Sequence, residues 1–141
     1  MKDFFKIIKQ LTNENKIGEF TLPFCTTYSG TKTKDGKKKD VVIREQIREY
    51  AINHISRPSP TLGKTFHFVL CGLKNGKRSI DVENMSKLVI DAFCIKQIIA
   101  DNSKYTEAGL YPDDNINFVT SNFGIAFPSD KDEMAVKIFY F

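Results

Sequence analysis

The sequence predicts an α+β domain: a mixed sheet of about four strands with helices mainly on one face. Three observations predict it. The spacing of apolar residues switches between the helical period and the two-residue period of a strand, in the order strand, helix, strand, helix, strand, strand after an N-terminal helix. Clusters of Gly, Pro, Asn and Asp fall between these stretches, where connections belong. The length of 141 residues, with 41% hydrophobic and 27% charged residues, suits one globular domain with a substantial core. Residues 1–16 read as an N-terminal helical extension and residues 17–141 as the domain itself.

Each element has its own signal. Phe4, Ile7, Ile8 and Leu11 recur at helical spacing, and Asn13-Glu14-Asn15 breaks that run. Ile17 to Phe24 alternates as a strand, with Pro23 placing it near an edge or an end. Thr31 to Asp40 is a polar, lysine-rich loop without an apolar anchor. Asp40 is a suitable N-cap for a helix from Val41 to Ile55, with Ile43, Ile47, Tyr50, Ala51 and Ile55 facing inward and Arg44, Glu45, Arg48 and Glu49 facing outward. Arg57-Pro58-Ser59-Pro60 ends it. Lys64 to Leu73 is the clearest strand, and His67 within it reads as structural. Asn75-Gly76 marks a turn. One long helix is expected over Val82 to Ala100. Ile116–Val119 and Phe123–Phe127 read as a bent strand, and Met134 to Phe141 as a last strand forming a hairpin with it.

Composition narrows the function classes. Cys25, Cys71 and Cys94 are widely spaced with no Cys-x-x-Cys pair, so buried free thiols in a reducing compartment are expected rather than a zinc site. No apolar run reaches the ~18 residues of a membrane span, and the N-terminus lacks the apolar core of a signal peptide, so a cytoplasmic protein is expected. The net charge of +4 is too small to imply nucleic acid by itself. Its distribution says more. Lys32, Lys34, Lys37, Lys38 and Lys39 are either a solvated surface or an arm that neutralises phosphates, which would make binding salt-dependent.

The chemistry centres on Asp81-Val82-Glu83-Asn84-Met85-Ser86-Lys87-Leu88-Val89-Ile90-Asp91. On a helix, Val82, Met85, Val89, Ala92 and Phe93 form the packed side, while Asn84, Lys87 and Asp91 share another face. Asp81 and Glu83 suit a helix start, and ordinary ion pairs with Lys87 would account for each residue singly. Against that bland account, Lys77 and Arg78 stand just before the acids, and Asp113-Asp114 opens the next apolar run. Three carboxylates, Asp81, Glu83 and Asp114, gathered in a basic protein repel one another unless a cation joins them. Hard oxygen ligands favour Mg²⁺ or Mn²⁺ over zinc. Such an ion polarises a phosphodiester and lowers the pKa of a bound water, and Lys87 could stabilise the charge that builds on phosphorus.

That stretch, followed by Tyr111-Pro112-Asp113-Asp114-Asn115, resembles the RusA-like Holliday-junction resolvases, whose pattern is Asp-x-Asp-Asn-x-x-Lys-x-x-x-Asp on a helix and a later Asp-Asp before a strand. The resemblance implies a homodimeric, Mg²⁺-dependent endonuclease that cuts four-way DNA junctions by paired nicks. By motif position, Asp81, Glu83 and Asp114 would be catalytic metal ligands and Lys87 the catalytic lysine. Asn84, Asp91 and Asp113 would support them. Lys32, Lys34, Lys37, Lys38, Lys39, Lys77 and Arg78 would contact DNA. The sequence departs from the pattern at Glu83, where the family usually has Asp, at Ile80, where one member of the family has a basic residue, and in a longer link from Asp91 to Asp113. Two other readings stand beside it: a non-catalytic DNA-junction-binding or phage regulatory protein on the same fold, and a Mg²⁺ phosphohydrolase of small substrates. The retained acidic set weighs against the first. The lysine cluster and the lack of a Gly-rich phosphate cradle weigh against the second.

Overall fold

The computed structural model describes residues 6, 9, 13–30, 32–56, 64–74, 84 and 86–140, with the backbone alone at 120–123. The elements are β1 (Lys16–Leu22), α1 (Lys34–Ala51), β2 (Thr65–Lys74), α2 (Lys87–Ala92), α3 (Ile95–Ala100), a 3₁₀ turn (Thr106–Ala108), β3 (Val119–Ser129) and β4 (Glu133–Tyr140). The expected helix from Asp3 to Leu11 falls, apart from Lys6 and Lys9, outside the described residues.

The four strands form a mixed sheet in the order β1-β4-β2-β3. β4 runs antiparallel to both β1 and β2, and β2 runs parallel to β3. The α+β class with a mixed four-stranded sheet is therefore as expected, but the expected β3–β4 hairpin is not there. The chain instead crosses the end of β2 and enters the sheet on its far side. Two local features make room for and hold this crossing. Gly72 in β2 has no side chain where a Cβ would lie 3.0 Å from Ser129 Cβ. Asp132 Oδ1 accepts from the Lys74 backbone N–H at 2.9 Å, anchoring the crossover to the strand it passes. The reward is apolar. Met134, Val136 and Ile138 of β4 are fully buried, and the central position sets Val136 between Phe20 and Val69, and Met134 between Leu22 and Cys71.

α1 and α2 supply Ile47, Ala51, Leu88, Val89 and Ala92 to the same core, and Phe93, just after α2, meets Phe20 edge-on at 5.8 Å between ring centroids. The alternate residues of the strands, among them Phe66, Phe68 and Phe139, form a separate aromatic group on the other face. All three cysteines are buried, as expected. Among the described residues no helix is long and apolar enough to cross a membrane.

α1 departs from the expected helix at both ends and on its faces. It begins at Lys34, capped by Thr33, whose Oγ1 accepts from Gly36 N–H at 3.2 Å. Lysine is a good helix former, so the lysine-rich segment extends the helix once a cap is in place. Asp40, expected as the cap, is buried inside the helix and accepts from Ser29 Oγ at 2.9 Å. The helix ends at Ala51, and Ile55 instead bridges to Gly18 of β1, where a Cβ would sit 2.9 Å from Ile55 Cγ2. Arg44 and Arg48 are buried rather than outward, while Tyr50 is exposed.

The expected helix over Val82 to Ala100 is interrupted. α2 closes at Ala92, Cys94 is extended, and α3 starts at Ile95. The break is filled from outside. Leu110 N–H donates to Phe93 O at 2.8 Å, Ile95 N–H donates to Tyr111 O at 2.9 Å, and Cys94 bridges Tyr111.

Candidate functional site

The interruption between α2 and α3 builds the site. Because residues 110–112 are threaded into it, Asp113 and Asp114 are delivered to the side of α2 that carries Lys87 and Asp91. Lys87 is the first residue of α2, and Asp91 lies one turn on, so their side chains meet along one helix face. The Lys87 Nζ donates to Asp91 Oδ1 at 3.1 Å and to Asp114 Oδ2 at 3.1 Å. Asp113 accepts from the Asp114 backbone N–H at 2.9 Å, and the Lys96 ammonium stands 3.8 Å from its carboxylate. Asp114 does not open a strand, since β3 begins at Val119. Its place on a bend, not on the sheet, sets it against Lys87.

The electrostatics follow from burial. Asp91 is 7% exposed, and burial raises its carboxyl above the usual value despite the neighbouring ammonium. Burial also acts to raise Asp114, but the Lys87 ammonium outweighs it and holds this carboxyl below the usual range. Lys87 is likewise pushed down by burial and held above its ordinary value by Asp91 and Asp114. Two carboxylates thus share one ammonium.

Two cavities open beside this trio. One of about 190 Å³ is lined by Asp91, Cys94, Lys96, Asp113 and Asp114. Burial raises the Cys94 thiol pKa, which argues against its being a nucleophile there. The other, of about 540 Å³, lies between α1 and the α2–α3 pair and brings Lys37 and Arg44 of α1 to the same space as Lys87 and Asp91. Lys32, Lys34, Lys37, Lys38 and Lys39 are all exposed. Lys34, Lys37 and Lys38 line a shallow groove with Val41 and Val42. Lys39 is rotated about 100° from Lys38 around the helix.

Sequence reasoning missed a network behind the site. Arg44 makes a bidentate pair with Asp101, at 2.7 Å from Nε and 2.8 Å from Nη2. Arg48, with no exposed surface, donates to Asp101 at 3.0 Å, to Glu45 at 2.7 Å and to the Ala92 carbonyl, which closes α2, at 2.7 Å. Gln97 adds a bond to Asp101 at 2.8 Å. Together these tie α1 to both α2 and α3. The one sequence signal was a pair of arginines one turn apart. Their partner is more than fifty residues away, so the usual reading as a solvated face prevailed.

Of the expected site residues, Lys87, Asp91, Asp113 and Asp114 are brought together. Asn84 is placed near α2, its carbonyl accepting from Tyr28 N–H at 3.5 Å. Asp81, Glu83, Lys77 and Arg78 lie outside the described residues. Among the described residues no group of three or more His, Cys, Asp or Glu is arranged to hold a metal ion. Asp114 nevertheless suits a divalent cation. It offers hard oxygens, and its side chain is 36% exposed. No protein-family model and no curated protein sequence matches this chain.

Proposed function

We propose that this chain is a Mg²⁺-dependent, structure-selective DNA endonuclease of the RusA-like resolvase type, acting as a homodimer on four-way junctions. The observation that carries the reading is the meeting of the two motif halves at Lys87. One ammonium contacts Asp91 of the first half and Asp114 of the second, both at 3.1 Å. A pattern fixed at several spacings in two segments gains weight when the segments converge in space. The cavity shared by Lys37 and Lys87 adds a path from the lysine-rich start of α1 to the acidic group.

In this reading Asp81, Glu83 and Asp114 would hold Mg²⁺ or Mn²⁺, which would supply an activated water and polarise the phosphodiester. Lys87, held by Asp91, presents its ammonium to the phosphate being cleaved. Lys32, Lys34, Lys37, Lys38, Lys39, Lys77 and Arg78 contact the DNA phosphates.

The test is a cleavage assay on a synthetic four-way junction, a linear duplex and a nucleotide, each with Mg²⁺ or EDTA. Mg²⁺-dependent paired nicks confined to the junction are expected. Junction binding without nicking, in Mg²⁺ and in Mn²⁺, would replace the reading with that of a DNA-binding protein. Asp114→Asn should abolish cutting and keep junction binding. Equal loss of both would make Asp114 a structural residue. Sedimentation should give twice the chain mass of 16.1 kDa.

A further inference from the structure

Asp91 and Asp114 are not equivalent partners of Lys87. Asp91 sits on the same helix one turn away, and its side chain is 10% exposed. Asp114 comes from a separate segment, and its side chain is 36% exposed. Both contacts measure 3.1 Å, so the ammonium is shared evenly between a fixed, shielded carboxylate and one that faces solvent. Resting on the reading of Asp114 as a cation ligand, we propose that Lys87 is a resident counter-ion of Asp114 which an arriving divalent cation must displace, and that Asp91 retains the displaced ammonium beside the site.

The ammonium and the divalent cation compete for one oxygen group. A monovalent ammonium at hydrogen-bond distance screens Asp114, and a cation binding there must overcome that pair. The displacement breaks one of two contacts rather than both, because the Asp91 contact lies within α2 and survives movement of Asp114. Lys87 is therefore left charged, held and freed from Asp114, in the place where a phosphate oxygen could accept from it. Without Asp91 the ammonium has Asp114 alone and should compete more strongly. Lys96 supplies an internal control. It is a lysine of the same acidic surroundings, 76% exposed, and its ammonium stands 3.8 Å from Asp113 rather than against Asp114.

Calorimetric titration with Mn²⁺ and with Ca²⁺, without DNA, tests the proposal on the full chain and its variants. Lys87→Gln should bind the cation about tenfold more tightly than wild type, a change of about 1.4 kcal/mol. Lys96→Gln should stay within about twofold, the size of a screened through-space effect. Asp91→Asn should bind several-fold more weakly, and Lys87→Arg should remain near wild type. Circular dichroism checks that each variant is folded. If Asp114→Asn loses cation uptake while Lys87→Gln binds no more tightly than Lys96→Gln, the displacement proposal is overturned and the ligand reading stands. If Asp114→Asn and wild type take up the cation equally, or neither does, the ligand reading falls and takes the proposal with it.

Discussion

His67 has no exposed surface, and its Nε2 lies 3.3 Å from Tyr111 Oη, whose O–H donates to the Ile90 carbonyl. Burial lowers its pKa to about 4. An unfolded chain takes up this proton near pH 6.5, so between that value and about 4 the unfolded state binds more protons than the folded one. Stability should accordingly be full above about pH 6.5 and fall as the pH drops, by up to about 3 kcal/mol at pH 4. Urea unfolding at pH 7, 5.5 and 4.5 measures this, and His67→Gln should flatten the slope. A slope unchanged in that variant would assign the loss to other groups. The structural role of His67 was legible, because a lone histidine in an apolar strand without nearby ligand residues has few alternatives. Lys87 and Asp91 were legible too, through their four-residue spacing. Arg44 and Arg48 were not, because periodicity cannot distinguish a charge in water from one buried against a distant carboxylate.

At the scale of elements, α1 and the α2–α3 break decide the site. Asp101 is the shared acceptor of Arg44 and Arg48, with a side chain 2% exposed. Asp101→Asn leaves the buried Arg44 without its carboxylate and Arg48 with Glu45 alone, and should cost about 3–5 kcal/mol, read from denaturant unfolding. A cost below about 1 kcal/mol would mean that water replaces the pair. The lysines at the start of α1 lie where a helix dipole favours negative charge, an arrangement that a bound polyanion relieves. Replacing Lys37, Lys38 and Lys39 by Gln should weaken junction binding and flatten its salt dependence, by about 0.9 in the log–log slope for each phosphate no longer neutralised. An unchanged slope would remove this part of α1 from the DNA interface. The existence of both helical regions was legible, but the break at Phe93–Cys94 was not. Neither residue is a helix breaker, and the interruption is stabilised by backbone bonds from residues 110 and 111.

For the whole molecule, the strands were legible from their alternation and their order was not. The short Ser129 to Asp132 connection suggested a hairpin, and only the space at Gly72 and the anchor at Asp132 reveal a crossing. The central place of β4 gives unequal weight to similar residues. Val136, buried between two strands, should cost about 2 kcal/mol when replaced by Ala, whereas Ile125 of the edge strand β3, 43% exposed, should cost little. Comparable losses at both positions would contradict the layout.

The same placement sets an order of events during synthesis. β4 joins β1 to β2, and its pairing with β1 reaches from Lys16 to Phe139. A ribosome therefore releases β1 and β2 well before the strand that unites them. Until Glu133–Tyr140 leaves the exit tunnel, the nascent chain carries open strand edges that a chaperone can grasp or another chain can pair with. A chain arrested before Glu133 should be cut rapidly by protease, and one extended far enough to free Tyr140 should resist it. Such long-range closure also slows refolding relative to a sheet built from successive hairpins.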